Sequence, residues 1–188
     1  APIDRFASSP HWLIRLYLAR AATVSGDSLT LRGLASDDDD NVQEAAIAGL
    51  QSIIHHAADS LYIAALGSRG YQVVMAAAVA LAGSHDPRAV PALLHALDRL
   101  TAQRRENARD PRMAILKALG AISDTATAAR LTPYLADFDT TIAATAASTL
   151  SRWSGRTVVA HPVLLPVAVE PLAATLLAPR IMLRVTMD

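Results

Sequence analysis

The sequence predicts an all-α, right-handed superhelical solenoid of about five helical hairpins with a partly extended C-terminal tail, on three observations. First, an alanine-dense segment closed by leucine recurs, as in Asn41-Val42-Gln43-Glu44-Ala45-Ala46-Ile47-Ala48-Gly49-Leu50 and Gln72-Val73-Val74-Met75-Ala76-Ala77-Ala78-Val79-Ala80-Leu81. The closing leucines Leu18, Leu50, Leu81, Leu119 and Leu150 fall 32, 31, 38 and 31 residues apart. That is the length of one helix-turn-helix unit, which cannot bury its apolar face alone and so stacks on its neighbours. Second, roughly a fifth of the residues are alanine while aromatics make up 4%, which suits thin layers of helices packed through small side chains. Third, the period stops after Gly155, where Pro162, Pro166, Pro171 and Pro179 interrupt any helix.

Within an array spanning 1–155, each closing-leucine helix should follow a shorter amphipathic one, at 28–35, 59–66, 89–100 and 126–135, where apolar residues recur at three and four positions. In the third of these, Val90, Leu93, Leu94 and Leu97 form a stripe after Asp86-Pro87. A proline there presets φ and loses no needed hydrogen bond, which predicts a helix beginning near Pro87 or Arg88. Asp39 or Asp40, Asp110 and Asp139 stand ahead of the second helices as expected caps for first-turn amides. The interval of 38 residues calls for an extra turn or loop, best placed around Thr101 to Asn107.

Residues 156–188 read as a proline-rich linker with a short helix near 171–177 and a terminal strand. The strand is expected because Ile181, Leu183, Val185 and Met187 alternate along it. A lone strand needs a partner, either in 158–169 or beyond Asp188. The start at Ala1, with neither an initiator methionine nor a signal pattern, suggests a fragment.

Seventeen basic residues balance seventeen acidic ones, so the chain lacks the positive field that a polyanion rewards, and nucleic acid is not an expected partner. With no cysteine there are no disulfides, thiolate metal sites or cysteine nucleophiles. The longest apolar run of the helical region, from Val73 to Gly83, falls well short of the ~20 residues of a membrane span. A protein or peptide is the expected partner.

The histidines supply no metal site. His55 and His56 diverge by about 100° on a helix, and neither His55 with Asp59 nor His95 with Asp98 has a third ligand at recognisable spacing. An EF-hand loop counted from Asp37 would need glycine and glutamate where Val42 and Ala48 stand. Serine elbows and glycine-rich phosphate loops are missing, so no catalytic residue and no cofactor is predicted. Trp12 and Trp153 are expected to close the two edges of the array.

The second helices resemble those of HEAT repeats, whose pattern runs Asp-Pro-x-Val-Arg-x-x-Ala-Ala-x-Ala-Leu-Gly. The best matches are Asp39, Val42, Ala45, Ala46, Gly49 and Leu50, then Val73, Ala76, Ala77, Ala80 and Leu81, with looser copies at Arg112, Ala114, Ala118, Leu119 and Gly120 and at Asp139, Ile142, Ala146 and Leu150. The resemblance covers about residues 10–153. The arginine position holds Gln43, Val74, Arg112 and Ala143, so the ladder of aspartate-arginine pairs between repeats should be mostly missing and stacking should rely on alanine and aliphatic contacts.

The resemblance implies a non-catalytic protein-interaction scaffold, its second helices lining a concave groove with Gln43, Gln72 and Arg112 exposed to a partner. Arg104, Arg105, Arg109 and Arg112, set against Glu106 and Asp110, read first as a solvated helix end and second as a partner-binding patch. The HEAT-like phycobilin lyases supply an enzymatic alternative and a chaperone a non-enzymatic one. The alkylpurine glycosylases would need a basic surface, which neutral charge and the acidic run Asp37 to Asp40 oppose. Arg180 to Asp188 resembles the opening strand of a cyclophilin-type peptidyl-prolyl isomerase domain of some bacterial multidomain proteins. That likeness implies an upstream array in a larger protein whose isomerase domain follows. Self-association through Val163, Leu164, Leu165 and Val167 is a further expectation.

Overall fold

The computed structural model describes residues 4–122 and 125–163, and among them every regular element is helical. The α-helices are α1 (Asp4–Ala7), α2 (Trp12–Ser25), α3 (Ser28–Leu34), α4 (Asp40–Ile54), α5 (Asp59–Ala65), α6 (Tyr71–Ala80), α7 (Ala89–Ala102), α8 (Arg109–Ile122), α9 (Ala128–Leu131) and α10 (Thr140–Ser154). Helices α2, α4, α6, α8 and α10 form one row, each packed on the next, while α3, α5, α7 and α9 lie against the helix that follows them. The fold is an all-α solenoid. The predicted hairpins are present, with the first of them reduced to a four-residue α1 ahead of α2.

The core lies between the two rows. Leu31, Leu50, Leu81, Leu93, Leu97, Leu119 and Ile142 are fully buried there, and alanines such as Ala46, Ala77, Ala78 and Ala146 let the second helices approach closely. Of the expected caps, Asp39 accepts from the Asn41 amide at 2.9 Å and the Val42 amide at 3.4 Å, and Asp139 accepts from Thr141 and Ile142 at the same distances. Asp27 does the same for α3, a role the hairpin pattern did not single out. Asp110 differs from expectation, because α8 starts at Arg109 and a 3₁₀ turn, Glu106–Ala108, leads into it; Asp110 is the helix's second residue. Similarly α7 begins at Ala89, with Pro87 in the preceding turn.

The helix expected over 89–100 is present as α7, Ala89–Ala102, while the one expected over 126–135 is not continuous. The surplus residues of the long interval are taken up chiefly by α7, which has 14 residues where α3 and α5 have 7 each. Only then comes the loop, in which Arg104 adopts a φ of 50°. The helix expected over 126–135 is broken into a 3₁₀ turn at Thr125–Thr127, the short α9, and a second 3₁₀ turn at Thr132–Ala136. Pro133 explains the break, since it brings no amide and its ring clashes with the carbonyl four residues back.

Past α10, which ends at Gly155 in a left-handed cap, the chain is extended. It returns along the last 3₁₀ turn, with the His161 amide donating to the Leu135 carbonyl at 2.7 Å and the Val163 amide to that of Ala136 at 3.4 Å. Ser151 and Val158 exchange hydrogen bonds, and the half-buried Trp153 donates from Nε1 to the Gly120 carbonyl at 3.4 Å, closing this edge as predicted. Trp12, at the other edge, is 40% exposed. The short helix near 171–177, the terminal strand and its cyclophilin likeness, and Leu164, Leu165 and Val167 lie outside the described residues.

Candidate functional site

The fourth residue of each second helix is Arg15, Gln43, Val74, Arg112 or Ala143, and the residue three ahead of the next second helix is Asp37, Ser68, Glu106 or Asp137. Where arginine faces aspartate, a rung forms. Arg15 donates from Nε and Nη2 to the two oxygens of Asp37, each at 2.7 Å, and also reaches Asp38 at 2.5 Å. Arg112 donates to Asp137 and to Thr101 Oγ1 at 3.0 Å, and its guanidinium lies 5.4 Å from the Phe138 ring centre. Both rungs lock onto the cap that follows, because Asp37 and Asp137 each accept from the amide of the capping aspartate at 2.9 Å. The expected loss of the ladder is therefore corrected: rungs hold the α2–α4 and α8–α10 junctions. Their signal was the repeated Asp-x-Asp before Val42 and before Ile142, together with Arg15 in the N-terminal copy.

The two central junctions, α4–α6 and α6–α8, have no such rung, and here a groove opens. It has a volume of about 590 Å³, with α6 as its floor and α4 and α8 as its walls. The floor is low because α6 offers the small side chains of Ala76 and Ala80 alongside Met75 and Val79. Val79 is 56% exposed, a large apolar side chain facing solvent from the last turn of α6. Met113, Ala114 and Ala48 extend the apolar lining, and Met75 and Met113 are the two methionines among the described residues. Thioether side chains of that kind adapt to irregular partners. The groove continues over Ala48 and Glu44 into a hollow of about 540 Å³ between α2 and α4, which Arg20 also lines.

Glu44 and Asp110 stand on opposite walls near the starts of α4 and α8, and Gln51 and Lys117 stand seven residues farther along the same helices. Seven residues of helix are about 10.5 Å. The groove thus has an acidic end and, two turns away, an end with the chain's single lysine.

The residues expected to bind a partner are dispersed. Arg112 is buried and bonded inside the stack, Arg109 is tied to Asp139 at 2.5 Å, and Gln43 donates its amide to the Asp37 carbonyl. Arg104, Arg105 and Gln72 do not line the groove. The patch that looked continuous in sequence is divided by structure into two guanidiniums that hold repeats together and two in the loop after α7.

A larger hollow of about 800 Å³ lies between α7 and α9, but its lining is more polar than that of the groove, and Arg130 in its wall is paired with Asp98 at 2.8 Å. Tyr134 donates to the other Asp98 oxygen at 2.5 Å, and burial together with that carboxylate raises its hydroxyl pKa strongly. Ser84, Asp59 and His56 form a second cluster, in which Ser84 Oγ donates to one Asp59 oxygen and His56 Nδ1 lies 3.1 Å from the other. The serine meets the carboxylate and not the imidazole, so the histidine is not placed to take its proton, and the three tie the start of α5 to the turn after α6. Among the described residues no group of three or more His, Asp or Glu could hold a metal ion, and no helix is long and apolar enough to cross a membrane.

No curated protein matches the chain. Residues 27–110, from the cap of α3 to the second residue of α8, match the family model for HEAT repeats. With its two rows of helices, its aspartate caps and its arginine-aspartate rungs, the chain has a HEAT-repeat fold, an architecture that commonly serves as a protein-interaction scaffold.

Proposed function

We propose that this array is a non-catalytic interaction scaffold and that the groove over α6 docks an apolar segment of a partner protein. The observation that carries this is Val79, exposed above a floor of Met75, Ala76 and Ala80 while the aliphatic residues on the other side of α6 are buried. An apolar channel with charged groups only at its ends is the form a protein-binding site takes. Ridges of a partner would bury against small residues, and the rim charges would set orientation.

The test uses the whole chain and a displayed library of amphipathic helical and extended peptides. Selected peptides are expected to bind wild type and to lose at least tenfold in affinity to Val79→Glu and to Met113→Glu, with thermal unfolding showing that both variants fold. Peptides that bind all three proteins equally would overturn the assignment of the groove.

A further inference from the structure

We infer that the occupant of this groove is a partner's amphipathic helix lying along α6 and antiparallel to it, with an acidic residue facing Lys117 and, seven residues later, a basic residue facing Glu44 and Asp110. The inference rests on the docking reading above and adds the partner's secondary structure, charge order and direction.

Width argues for a helix. Packed helices lie 8–10 Å apart axis to axis, so the axes of α4 and α8 are roughly 16–20 Å apart with α6 between them, and a helix about 10 Å across can rest over the small side chains of α6 with α4 and α8 on its flanks. One turn of such a helix occupies about 420 Å³ of cylinder, so 590 Å³ holds roughly one and a half turns. Ala76 and Ala80 let its backbone come close to α6, while Met75, Val79 and Met113 supply the soft contacts on either side.

Charge sets the order. Glu44, Asp110 and Lys117 enter no ion pair among the described residues, unlike Asp37, Asp137 and Asp139, whose charges are spent within the array. Arg20, the nearest other cation of this face, lies beyond Glu44 in the adjoining hollow and against the Tyr17 ring at 5.8 Å, and Arg109 is turned to Asp139. The groove therefore asks for a cation at its Glu44–Asp110 end and an anion at its Lys117 end. A helix favours an acidic residue toward its own N-terminus and a basic one toward its C-terminus. Both demands agree only if the partner enters with its N-terminus at Lys117, which sets its dipole against those of α4, α6 and α8.

The test uses two 18-residue helical peptides with one leucine and methionine stripe. One carries Glu and Arg seven residues apart in the predicted order and the other carries them interchanged. Anisotropy against the full chain at 20 mM salt should show the first binding at least tenfold tighter. The difference should shrink as salt shortens the screening length, and the triple variant E44K/D110K/K117E should invert the preference. A photocrosslinker near the N-terminus of the first peptide should label residues beside Lys117. Equal binding of the two peptides, both lost in Val79→Glu, would overturn the charge order while leaving the docking groove intact. Binding of neither, with extended library peptides still sensitive to Val79→Glu, would overturn the helix. Peptides indifferent to Val79→Glu would overturn the groove itself.

Discussion

The guanidinium of Arg112 and the carboxylate of Asp137 meet inside the stack, their side chains 2% and 3% exposed, and join α8 to the turn that caps α10. Removing one partner leaves the other charged and buried. Arg112→Ala is therefore expected to lower stability by about 3–5 kcal/mol. The double variant R112M/D137N should recover most of that, since the side-chain carbonyl it leaves at position 137 can still accept from the Asp139 amide. Urea titration of the three proteins decides the matter, and a double variant no better than R112A would show that the pair is not the source of the loss.

Acid should loosen the same junctions. Burial pushes the Asp37 carboxyl up, but the hydrogen bonds from Arg15 and from the Asp39 amide outweigh it, and the group sits below the ordinary carboxylate value. Burial acts likewise on Asp139, and Arg109 with the Thr141 and Ile142 amides pulls it below the ordinary value too. Both groups take up protons more readily when unfolded, near pH 3.9, than when folded. Their stabilisation is therefore complete above about pH 5 and is lost as pH falls through the folded values. Urea midpoints measured from pH 7 to pH 3 should decline less steeply in D37N/D139N than in wild type; identical slopes would rule these carboxylates out.

The two caps are matched in geometry but not in load. Asp39→Ala should cost about 1 kcal/mol, the usual value of a lost N-cap. Asp139→Ala gives up the same two amide bonds and also the Arg109 pair, and should cost up to about 1 kcal/mol more because Arg109 is partly exposed. Thermal unfolding of the two variants under one condition gives the comparison, with D139A expected to melt lower.

Gly49 lies in α4 facing α2 and α3. A Cβ there would collide with Thr23 Oγ1 and stand 3.1 Å from both Leu31 methyl groups. Thr23 cannot easily yield, since its hydroxyl is bonded to the Ala19 carbonyl at 2.9 Å. Gly49→Ala gains about 0.5–1 kcal/mol of helix propensity but meets an overpacking cost of about 1–3 kcal/mol. The expected result is net destabilisation by calorimetry. At Gly33, where the added Cβ meets nothing within 4 Å, the same change should be neutral or stabilising.

Much of the fold was legible because it is written in local chemistry. Alanine and leucine spacing marks the second helices, and Asp39 and Asp139 act within three residues of their own positions. Pro133 carried its warning openly, but the apolar spacing of 126–135 masked it. The length of α7 was legible too, from its apolar spacing over 89–100, and the structure adds only Thr101 and Ala102 at its end. Arg112 was the least legible: beside Arg104, Arg105 and Arg109 it reads as surface charge, and only an aspartate 25 residues away makes it interior. The groove lining was equally hidden, because Met75, Val79 and Met113 look like any core residues until stacking turns them outward.

By itself, the sequence determined that this protein is a row of helical hairpins, where its second helices lie, and that aspartates stand ahead of them as caps. These follow from periodicity and from hydrogen bonds a few residues long. Only the tertiary structure decided which charges are spent and which are free. That depends on residues 22 to 30 positions apart meeting across a junction, as Arg15 meets Asp37 and Arg109 meets Asp139. By satisfying those charges in the outer junctions and leaving Glu44, Asp110 and Lys117 around an apolar floor in the middle, the stacking turns a uniform repeat into a surface with a distinct apolar groove.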